Sequence, residues 1–386
     1  MSIHLGESKG KINVLQLFMI FALMNGLFDH VIINPMLLDA SGRDAWIAVL
    51  VTGFFFVLWS FLIVWFMRRT GQRKWQEWLS TTTHPVVSWI FIVPLCAILY
   101  CIGGTTVINT VKWNITNYLP ATSGFALSIA LIAICFVLAF WGIRVIAISG
   151  GILLPIVTML GIFVSTFNTP EKDHRLLKPI LEHGWGPVAD GILYAAGGYV
   201  EIILVVLLQH RVSSKLKVWQ MLIFALFTIV IMLGPITGAI MEFGPVEASE
   251  QMISPYEQWR LVRIGQYIEH VDFFSIFQWL SGACVRISVA AYLIVDILPL
   301  TKKNYRLWGI ALIMVSYIVT SMLPINDYKF YLWMLHFYMP VSFVLLFGMS
   351  LVWMGIALFT KPLRKDDNNN GQRQNSMVGA ADKGNL

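Results

Sequence analysis

The sequence predicts an all-α integral membrane protein of ten transmembrane helices, arranged as a five-plus-five inverted repeat in which helices one and six are broken. Of its 386 residues, 57% are hydrophobic and 12% are charged, which excludes an ordinary soluble domain. Ten apolar stretches of about 20 residues are each long enough to cross about 30 Å of hydrocarbon. The first and sixth stretches are interrupted at matching places in the two halves, which is typical of inverted repeats with a midplane site.

The ten spans and a polar tail account for the whole chain. The spans are predicted at residues 13–35, 44–66, 85–111, 124–142, 145–167, 187–209, 218–242, 273–298, 307–324 and 330–359. Short connections leave no room for a second folded domain, so residues 1–360 are expected to form a single membrane domain. Residues 361–386 contain too few apolar residues to fold alone, and we expect a disordered cytosolic tail.

The distribution of basic residues predicts that both termini lie in the cytosol. Lys and Arg near the span ends are about twice as frequent on the side that holds the termini as on the other side. The formal net charge of +6 then reflects this topology and contact with an anionic lipid bilayer. No nucleic-acid partner is expected.

The two interruptions carry the main functional hypothesis. Asn25-Gly26 interrupts the first span, and Gly197-Gly198 followed by Tyr199 interrupts the sixth. Non-helical backbone inside a bilayer is tolerated where it lines a cavity. Freed helix amides suit a carboxylate and freed carbonyls suit an ammonium group, so unwound segments here predict a site for a zwitterion such as an amino acid. The alternative is close helix packing through small residues.

Two charged residues lie deep inside predicted spans. Glu201 follows the glycine pair of the sixth span by a few residues, and Arg286 lies about 20 Å into the eighth. Charges at this depth are costly and usually functional. We expect Glu201 and Arg286 to approach each other near the central site. The alternative is an ion pair that ties two helices together away from any ligand.

Other polar residues are weaker candidates. Asp29 lies about 24 Å along the helix from Asn13, which predicts a position for Asp29 and His30 near the outer face, either in the wet interface or on an access path. Tyr100 and Tyr292 would line a central cavity, or simply pack between helices.

The sequence contains no signature of an enzyme. It has no phosphate-binding glycine loop, no zinc-ligand spacing and no serine–histidine–aspartate set at one depth. The four cysteines all lie inside predicted spans and are interpreted as small apolar filler. We therefore expect no enzymatic activity, no metal site and no cofactor.

Five motifs point to a known family. In chain order they are Gly42-Arg-Asp44-Ala-Trp46, Asn117-Tyr-Leu-Pro120, Ser254-Pro-Tyr-Glu-Gln-Trp-Arg260, Ile268-Glu269-His-Val-Asp272 and Cys284-Val-Arg286-Ile-Ser288-Val-Ala-Ala-Tyr292. With the ten-span layout, these motifs resemble the B subunits of spore germination receptors for nutrients, a branch of the amino acid–polyamine–organocation transporter superfamily. The resemblance covers nearly the whole chain.

The resemblance implies an amino acid permease-like fold and a role in sensing amino acids, sugars or nucleosides. It also implies that the chain acts with an A subunit and a lipoprotein C subunit in the spore inner membrane, and that ligand binding triggers germination. The ligand-binding residues that it implies are Asn25, Gly26, Phe28, Gly197, Gly198, Tyr199, Val285, Ser288 and Tyr292.

At one position the chain departs from the pattern that it resembles. Many family members have lysine in span eight, whereas this chain has Arg286. A fixed side-chain cation here would take the place of the coupling cation of sodium-coupled relatives, and arginine does not readily release its proton. That arrangement suits a locked sensor better than a proton-coupled pump.

Two other functions remain open at this point. The chain would have the same spans, breaks and charges if it were an amino acid or polyamine secondary transporter. It would also fit a structural subunit whose cavity is vestigial and whose ligand is bound elsewhere.

Overall fold

The structure is a computed structural model that describes residues 10–265, 267, 270–300 and 302–360. The predicted tail at 361–386, and Ile268 and Glu269 of the fourth motif, lie outside the described residues. Nearly all regular structure in the described part is helical, apart from an isolated bridge between Ile12 and Val212.

Ten long helices form the body of the protein. Their bounds are α1 Val14–Leu27, α2 Ala45–Arg69, α3 Pro85–Asn117, α4 Gly124–Trp141, α5 Ile143–Phe167, α6 Trp185–Tyr199, α7 Val218–Phe243, α8 Phe274–Ile297, α9 Lys303–Ser321 and α10 Asp327–Trp333, which resumes over Met339–Phe359. In the described part of the chain, nine helical stretches are long and apolar enough to cross a membrane. The tenth, α9, has 19 residues and is more polar because its first turn carries Lys303 and Arg306.

Short helices connect these spans. Outside α1 to α10 they are Asn34–Ser41, Trp75–Thr82, Pro245–Glu250 and Ser254–Leu261, with 3-10 turns at Gly42–Asp44, Thr169–Glu171 and His174–Leu177. Local sequence sets where the helices start and stop. Asn13 and Gln16 form a reciprocal capping box at the start of α1. Gly142, at φ +91°, separates α4 from α5 in a backbone conformation that favours glycine.

The predicted interruptions at Asn25-Gly26 and Gly197-Gly198 lie inside α-helix, and each helix departs from α geometry two residues after its last glycine, without unwinding. After α1, residues Phe28–Ile32 form a π-helix, and after α6, residues Val200–Arg211 form a 3-10 helix. The 3-10 segment has 12 residues, far longer than the usual three or four. The expectation of unwound backbone was therefore wrong. A change of helical pitch keeps the chain hydrogen-bonded in an apolar setting, whereas unwinding would leave several backbone groups unpaired.

The interruption in α1 still frees one carbonyl. The amide of Phe28 bonds to the carbonyl of Asn25, one residue nearer than in an α-helix. The carbonyl of Met24 instead accepts a hydrogen bond from Arg286 at 3.1 Å. A second π-helix, Met334–Tyr338, divides α10 and was not anticipated from the sequence.

Helix α8 lies at the centre of the bundle and is buried along most of its length. It packs against α1, α3, α4 and α5. Gly282 permits the close approach to α1, because a Cβ there would lie 2.8 Å from Leu27 Cβ and 3.3 Å from the carbonyl of Leu23. This packing brings Arg286, one turn further along α8, beside α1 and α6.

Candidate ligand site

A bidentate ion pair joins Glu201 and Arg286 at the centre of the bundle. Arg286 Nη1 lies 2.5 Å from Glu201 Oε2, and Arg286 Nη2 lies 2.7 Å from Glu201 Oε1. The side chains of Arg286 and Glu201 are 0% and 2% exposed. Two parallel N–H···O bonds between opposite charges are among the strongest side-chain contacts in proteins. The guanidinium and the carboxylate therefore satisfy each other.

Arg286 is held on its remaining sides by α3 and by α1 with its π-helical extension. Its Nε donates to Thr106 Oγ1 of α3 at 3.1 Å, and its Nη1 also donates to the Met24 carbonyl of α1. The guanidinium carbon lies 4.4 Å from the ring centroid of Phe28, within the range of a cation–π contact. Arg286 thus connects α1, α3, α6 and α8, and its position depends on all four.

Three buried polar side chains beside this pair lack hydrogen-bond partners in the described part of the chain. They are Asn25, at both amide atoms, Asp29, at both carboxylate oxygens, and Tyr199, at its hydroxyl. All three side chains are at most 2% exposed. Other buried side chains of the described part also lack partners, the Tyr338 hydroxyl among them, so these three groups make this place a candidate polar site. We call Asn25, Asp29 and Tyr199 the polar cluster.

The position of Asp29 corrects the sequence prediction. Asp29 is fully buried rather than interfacial, and the ideal Cβ position of Gly198 in α6 lies 2.3 Å from Asp29 Oδ1. Asn25 lies four residues before Asp29 in the same helical segment, about one turn away. His30 turns away, with Nδ1 3.3 Å from the carbonyl of Ile231.

The interrupted helices meet closely around the polar cluster. A Cβ on Gly198 would also lie 2.6 Å from Ile33 Cδ1, and a Cβ on Gly197 would lie 2.7 Å from Met339 Cε. The Tyr199 ring stacks on Phe56 at 4.6 Å between centroids. These residues are therefore packed without a wide central hollow. Gly26 differs, because among the described residues no heavy atom lies within 4 Å of its ideal Cβ.

The structure places four other predicted ligand residues away from the polar cluster or in plain packing. Tyr100 donates to Ser316 of α9 at 3.0 Å. Ser288 donates to the backbone carbonyls of Cys284, at 2.6 Å, and Cys135. Tyr292 lies beneath Arg306, with the guanidinium carbon 5.5 Å from its ring centroid. Val285 is a buried member of the hydrophobic core.

A charged network closes the predicted inner side of the bundle. Asp296, near the end of α8, contacts Arg211 at 3.1 Å, Arg306 at 3.5 Å and His210 Nε2 at 3.4 Å. The segment before α1 joins this closure. The amide of Ile12 donates to the carbonyl of Arg211 at 2.9 Å. These contacts connect α6, α8, α9 and the N-terminal segment on one side of the membrane.

A cavity of about 380 Å³ opens on the predicted outer side. Its lower wall includes Ile32 and Met334, which belong to the π-helices of α1 and α10. Its rim carries an ion pair between Lys112 of α3 and Asp327 of α10. The cavity is therefore lined in part by the two π-helical segments, one of which also carries Asp29 of the polar cluster.

Sequence reasoning missed two parts of this arrangement. Asp29 was placed at the wrong depth, although its spacing of four residues from Asn25 was a usable signal for a shared face. Thr106 was missed because a hydroxyl in an apolar span has no distinctive pattern, and its contact with Arg286 depends on tertiary packing. Within the ranges described, no group of three or more His, Cys, Asp or Glu side chains is arranged to hold a metal ion.

The fold and this site define a class of protein. The structure is similar to the crystal structure of MhsT in complex with L-phenylalanine, with a TM-score of 0.60 and 12% sequence identity, covering 90% of this chain and 96% of that one. At this identity the likeness concerns the fold alone. The protein is a multi-pass helical membrane protein with the amino acid permease-like fold that the sequence predicted.

Sequence comparison then gives the family. The chain is 38% identical over 341 residues to Spore germination protein XB of Bacillus anthracis, covering 88% of this chain and 96% of that protein. A family model described as Spore germination protein matches residues 11–328. The chain belongs to this spore germination protein family, as its five motifs had indicated.

Proposed function

We propose that this protein is the membrane subunit of a nutrient germinant receptor, which binds a small nutrient at its centre and thereby triggers germination. An amino acid is the ligand that we favour. The observation that carries this proposal is the polar cluster, three unpartnered side chains buried where the π-helix of α1 meets α6. A ligand that supplies their missing hydrogen bonds would be bound with a large free-energy gain, because unsatisfied buried groups cost about 1–3 kcal/mol each.

The outer cavity supports a route for the ligand. It opens on the predicted outer side and reaches down to Ile32 and Met334. A π-helix inside an α-helix is a local distortion that is frequently found at functional sites. We propose that the two π-helical segments shift to admit a nutrient from the cavity to the polar cluster.

The cellular setting is proposed from family membership. Proteins of this type are expected in the spore inner membrane with both termini in the cytosol, and they are expected to act with an A subunit and a lipoprotein C subunit. The charged network around Asp296 closes the predicted inner side of the bundle in this conformation.

The Glu201–Arg286 pair supports a sensor rather than a cation-coupled pump. We propose that Arg286 supplies the fixed positive charge that a mobile cation supplies in coupled transporters. Because arginine keeps its proton and both Glu201 oxygens accept from it, the pair offers no site for an exchangeable cation. Ligand binding should therefore not require sodium.

Replacing Tyr199 with phenylalanine tests the site directly. The Tyr199→Phe variant keeps the ring stack on Phe56 and removes only the unpartnered hydroxyl. We expect the Kd of an amino acid that binds the wild-type chain to rise roughly threefold to tenfold, the cost of one hydrogen bond. The amino acid is found by thermal shift of the purified full-length chain with each of the common amino acids, and its Kd is measured by titration.

Tyr100→Phe is the matched control. It removes a hydroxyl that bonds to Ser316 of α9, away from the polar cluster, so the Kd should stay at the wild-type value. A ligand site at the polar cluster would be contradicted if the Kd rose equally in both variants, or if it did not change in Tyr199→Phe.

A secondary transporter is the second candidate, and one observation favours it. The bundle is open on its predicted outer side and closed by Asp296 and its partners on the inner side, which is also the geometry of one state of an alternating-access transporter. Uptake of a radiolabelled amino acid into proteoliposomes separates the two functions. A sensor binds without net uptake, whereas steady accumulation would establish transport.

A further inference from the structure

The charges around the polar cluster do not balance. Glu201 uses both carboxylate oxygens to accept from Arg286, while neither oxygen of Asp29 has a partner among the described residues. The charged side chains that act on Asp29 are Glu201 and Arg286. Two carboxylates therefore share one guanidinium, and that guanidinium is already engaged. The site is one positive charge short when both carboxylates are ionised.

Arg286 is not free to serve Asp29 as well. Its Nε donates to Thr106, and its Nη1 is shared between Glu201 and the Met24 carbonyl. Its planar guanidinium is fixed further by the Phe28 ring, 4.4 Å away. Turning it towards Asp29 would break the bidentate contact with Glu201 and leave that carboxylate buried without a partner. Asp29 is therefore neutralised either by binding a proton or by a positively charged group that enters from outside the protein.

We infer that the nutrient supplies this charge as a protonated amine, and that Asp29 is its counter-ion and the residue that restricts the receptor to amine-bearing ligands. This inference rests on the proposed ligand site and names the chemistry that the site selects. It separates amino acids and other amines, which satisfy Asp29, from sugars and nucleosides, which carry no ammonium group and leave it uncompensated.

The polar cluster has the right donors and acceptors for such a ligand. An ammonium group donates three hydrogen bonds, and Asp29 Oδ1, Asp29 Oδ2 and Asn25 Oδ1 offer three unpartnered acceptors. Asn25 Nδ2 and the Tyr199 hydroxyl remain as unpartnered donors, which suit a carboxylate or hydroxyl at the other end of the molecule. Together these groups match the two ends of an amino acid.

A divalent metal ion fits the cluster less well than an ammonium group does. Divalent cations in proteins are usually held by several charged ligands, whereas the side chains that the structure describes include no group of three or more potential acidic, cysteine or histidine ligands. The Gly198 backbone also closes one side of Asp29, since a Cβ there would lie 2.3 Å from Oδ1. A compact organic cation that forms directed hydrogen bonds is the better match.

Neutralising Asp29 tests the inference. Wild-type and Asp29→Asn full-length chains are purified in detergent and examined by thermal shift and titration, with millimolar L-alanine, L-phenylalanine and putrescine as amines. Propionate is the deaminated analogue of alanine, and D-glucose and inosine are neutral solutes. We expect at least one amine and none of the other compounds to stabilise the wild-type chain. We expect Asp29→Asn to raise the Kd of that amine roughly 10- to 100-fold, which is the effect of losing a hydrogen bond to a charged group.

Asp39→Asn is the matched control, because Asp39 is an exposed carboxylate in the short helix that follows the α1 interruption. It should bind the amine as the wild-type chain does. Sodium is tested separately by exchanging it for potassium in the buffer. An amine that binds Asp29→Asn and the wild type equally would overturn the inference, and so would stabilisation that requires sodium alone.

The outcomes also distinguish this inference from the proposed function. If glucose or inosine binds, and its Kd rises in Tyr199→Phe, the central site stands and the role of Asp29 as an amine counter-ion is wrong. If no compound of the panel, amine or neutral, shifts the melting temperature of the wild-type chain, both are contradicted. If an amine binds, and its Kd rises in Asp29→Asn and Tyr199→Phe but not in Asp39→Asn or Tyr100→Phe, the inference and the proposed function are both supported.

Discussion

The Arg286→Met variant is expected to lose about 3–5 kcal/mol of folding free energy, and spores that carry it should not respond to nutrient. Methionine fills a similar volume but leaves the Glu201 carboxylate buried without its partner. It also removes the donors to Thr106 and Met24, and with them the connection between α1, α3, α6 and α8. The measurements are the melting temperature and yield of folded protein in detergent, and the germination rate of the spores.

The double variant Glu201→Leu with Arg286→Met separates structure from function. Replacing a buried ion pair with apolar residues of similar volume is often neutral or stabilising, so its melting temperature should recover most of the loss. Germination should not recover, because the site then lacks its fixed charges. If Arg286→Met and Glu201→Gln each leave the melting temperature and the germination rate at the wild-type values, the pair has no role in stability or in germination.

Adding one methyl group at Gly198 should have the second-largest effect. The Gly198→Ala Cβ would lie 2.3 Å from Asp29 Oδ1, 2.6 Å from Ile33 Cδ1 and 2.8 Å from Met232 Cε. Overpacking of this kind costs about 1–3 kcal/mol. Because the first atom displaced belongs to Asp29, we expect amino acid binding and germination to fall more steeply than the melting temperature does.

Gly26→Ala provides the control for this change. In the portion of the chain with described coordinates, no heavy atom lies within 4 Å of the new methyl group, and Gly26 is inside an α-helical segment. Alanine in a helix interior is favoured over glycine by roughly 0.5–1 kcal/mol, so its melting temperature should be unchanged or higher. A germination defect in Gly26→Ala equal to that in Gly198→Ala would show that crowding at Asp29 is not the cause.

The depth of charged residues could be predicted only in part. Glu201 and Arg286 were placed deep and close together because each lies far from both ends of its span. The same counting misplaced Asp29, since it assumed that the outer face comes soon after residue 29. The chain instead continues into the helix Asn34–Ser41, six of whose eight residues are buried, so the bundle extends well beyond the interruption.

The direction of side chains around a helix could not be predicted at all for these spans. A helix that is apolar on every side has no sequence signal for which face meets the core and which meets lipid. Tyr100 and Tyr292 were therefore assigned to the central site from depth alone. The structure turns Tyr100 towards Ser316 and places Tyr292 beneath Arg306, near the inner network.

The sequence by itself determined the class of fold, the helical spans and, to within about two residues, the positions at which α1 and α6 depart from α geometry. These features follow from local hydrophobicity and from the backbone preferences of glycine and asparagine. Only the tertiary structure decided that the interruptions are changes of pitch rather than unwound segments. It also brought Asn25, Asp29 and Tyr199 together beside the Glu201–Arg286 pair. The physical reason is that hydrophobicity fixes depth in the membrane, whereas rotation and pitch depend on packing between helices that are distant in sequence.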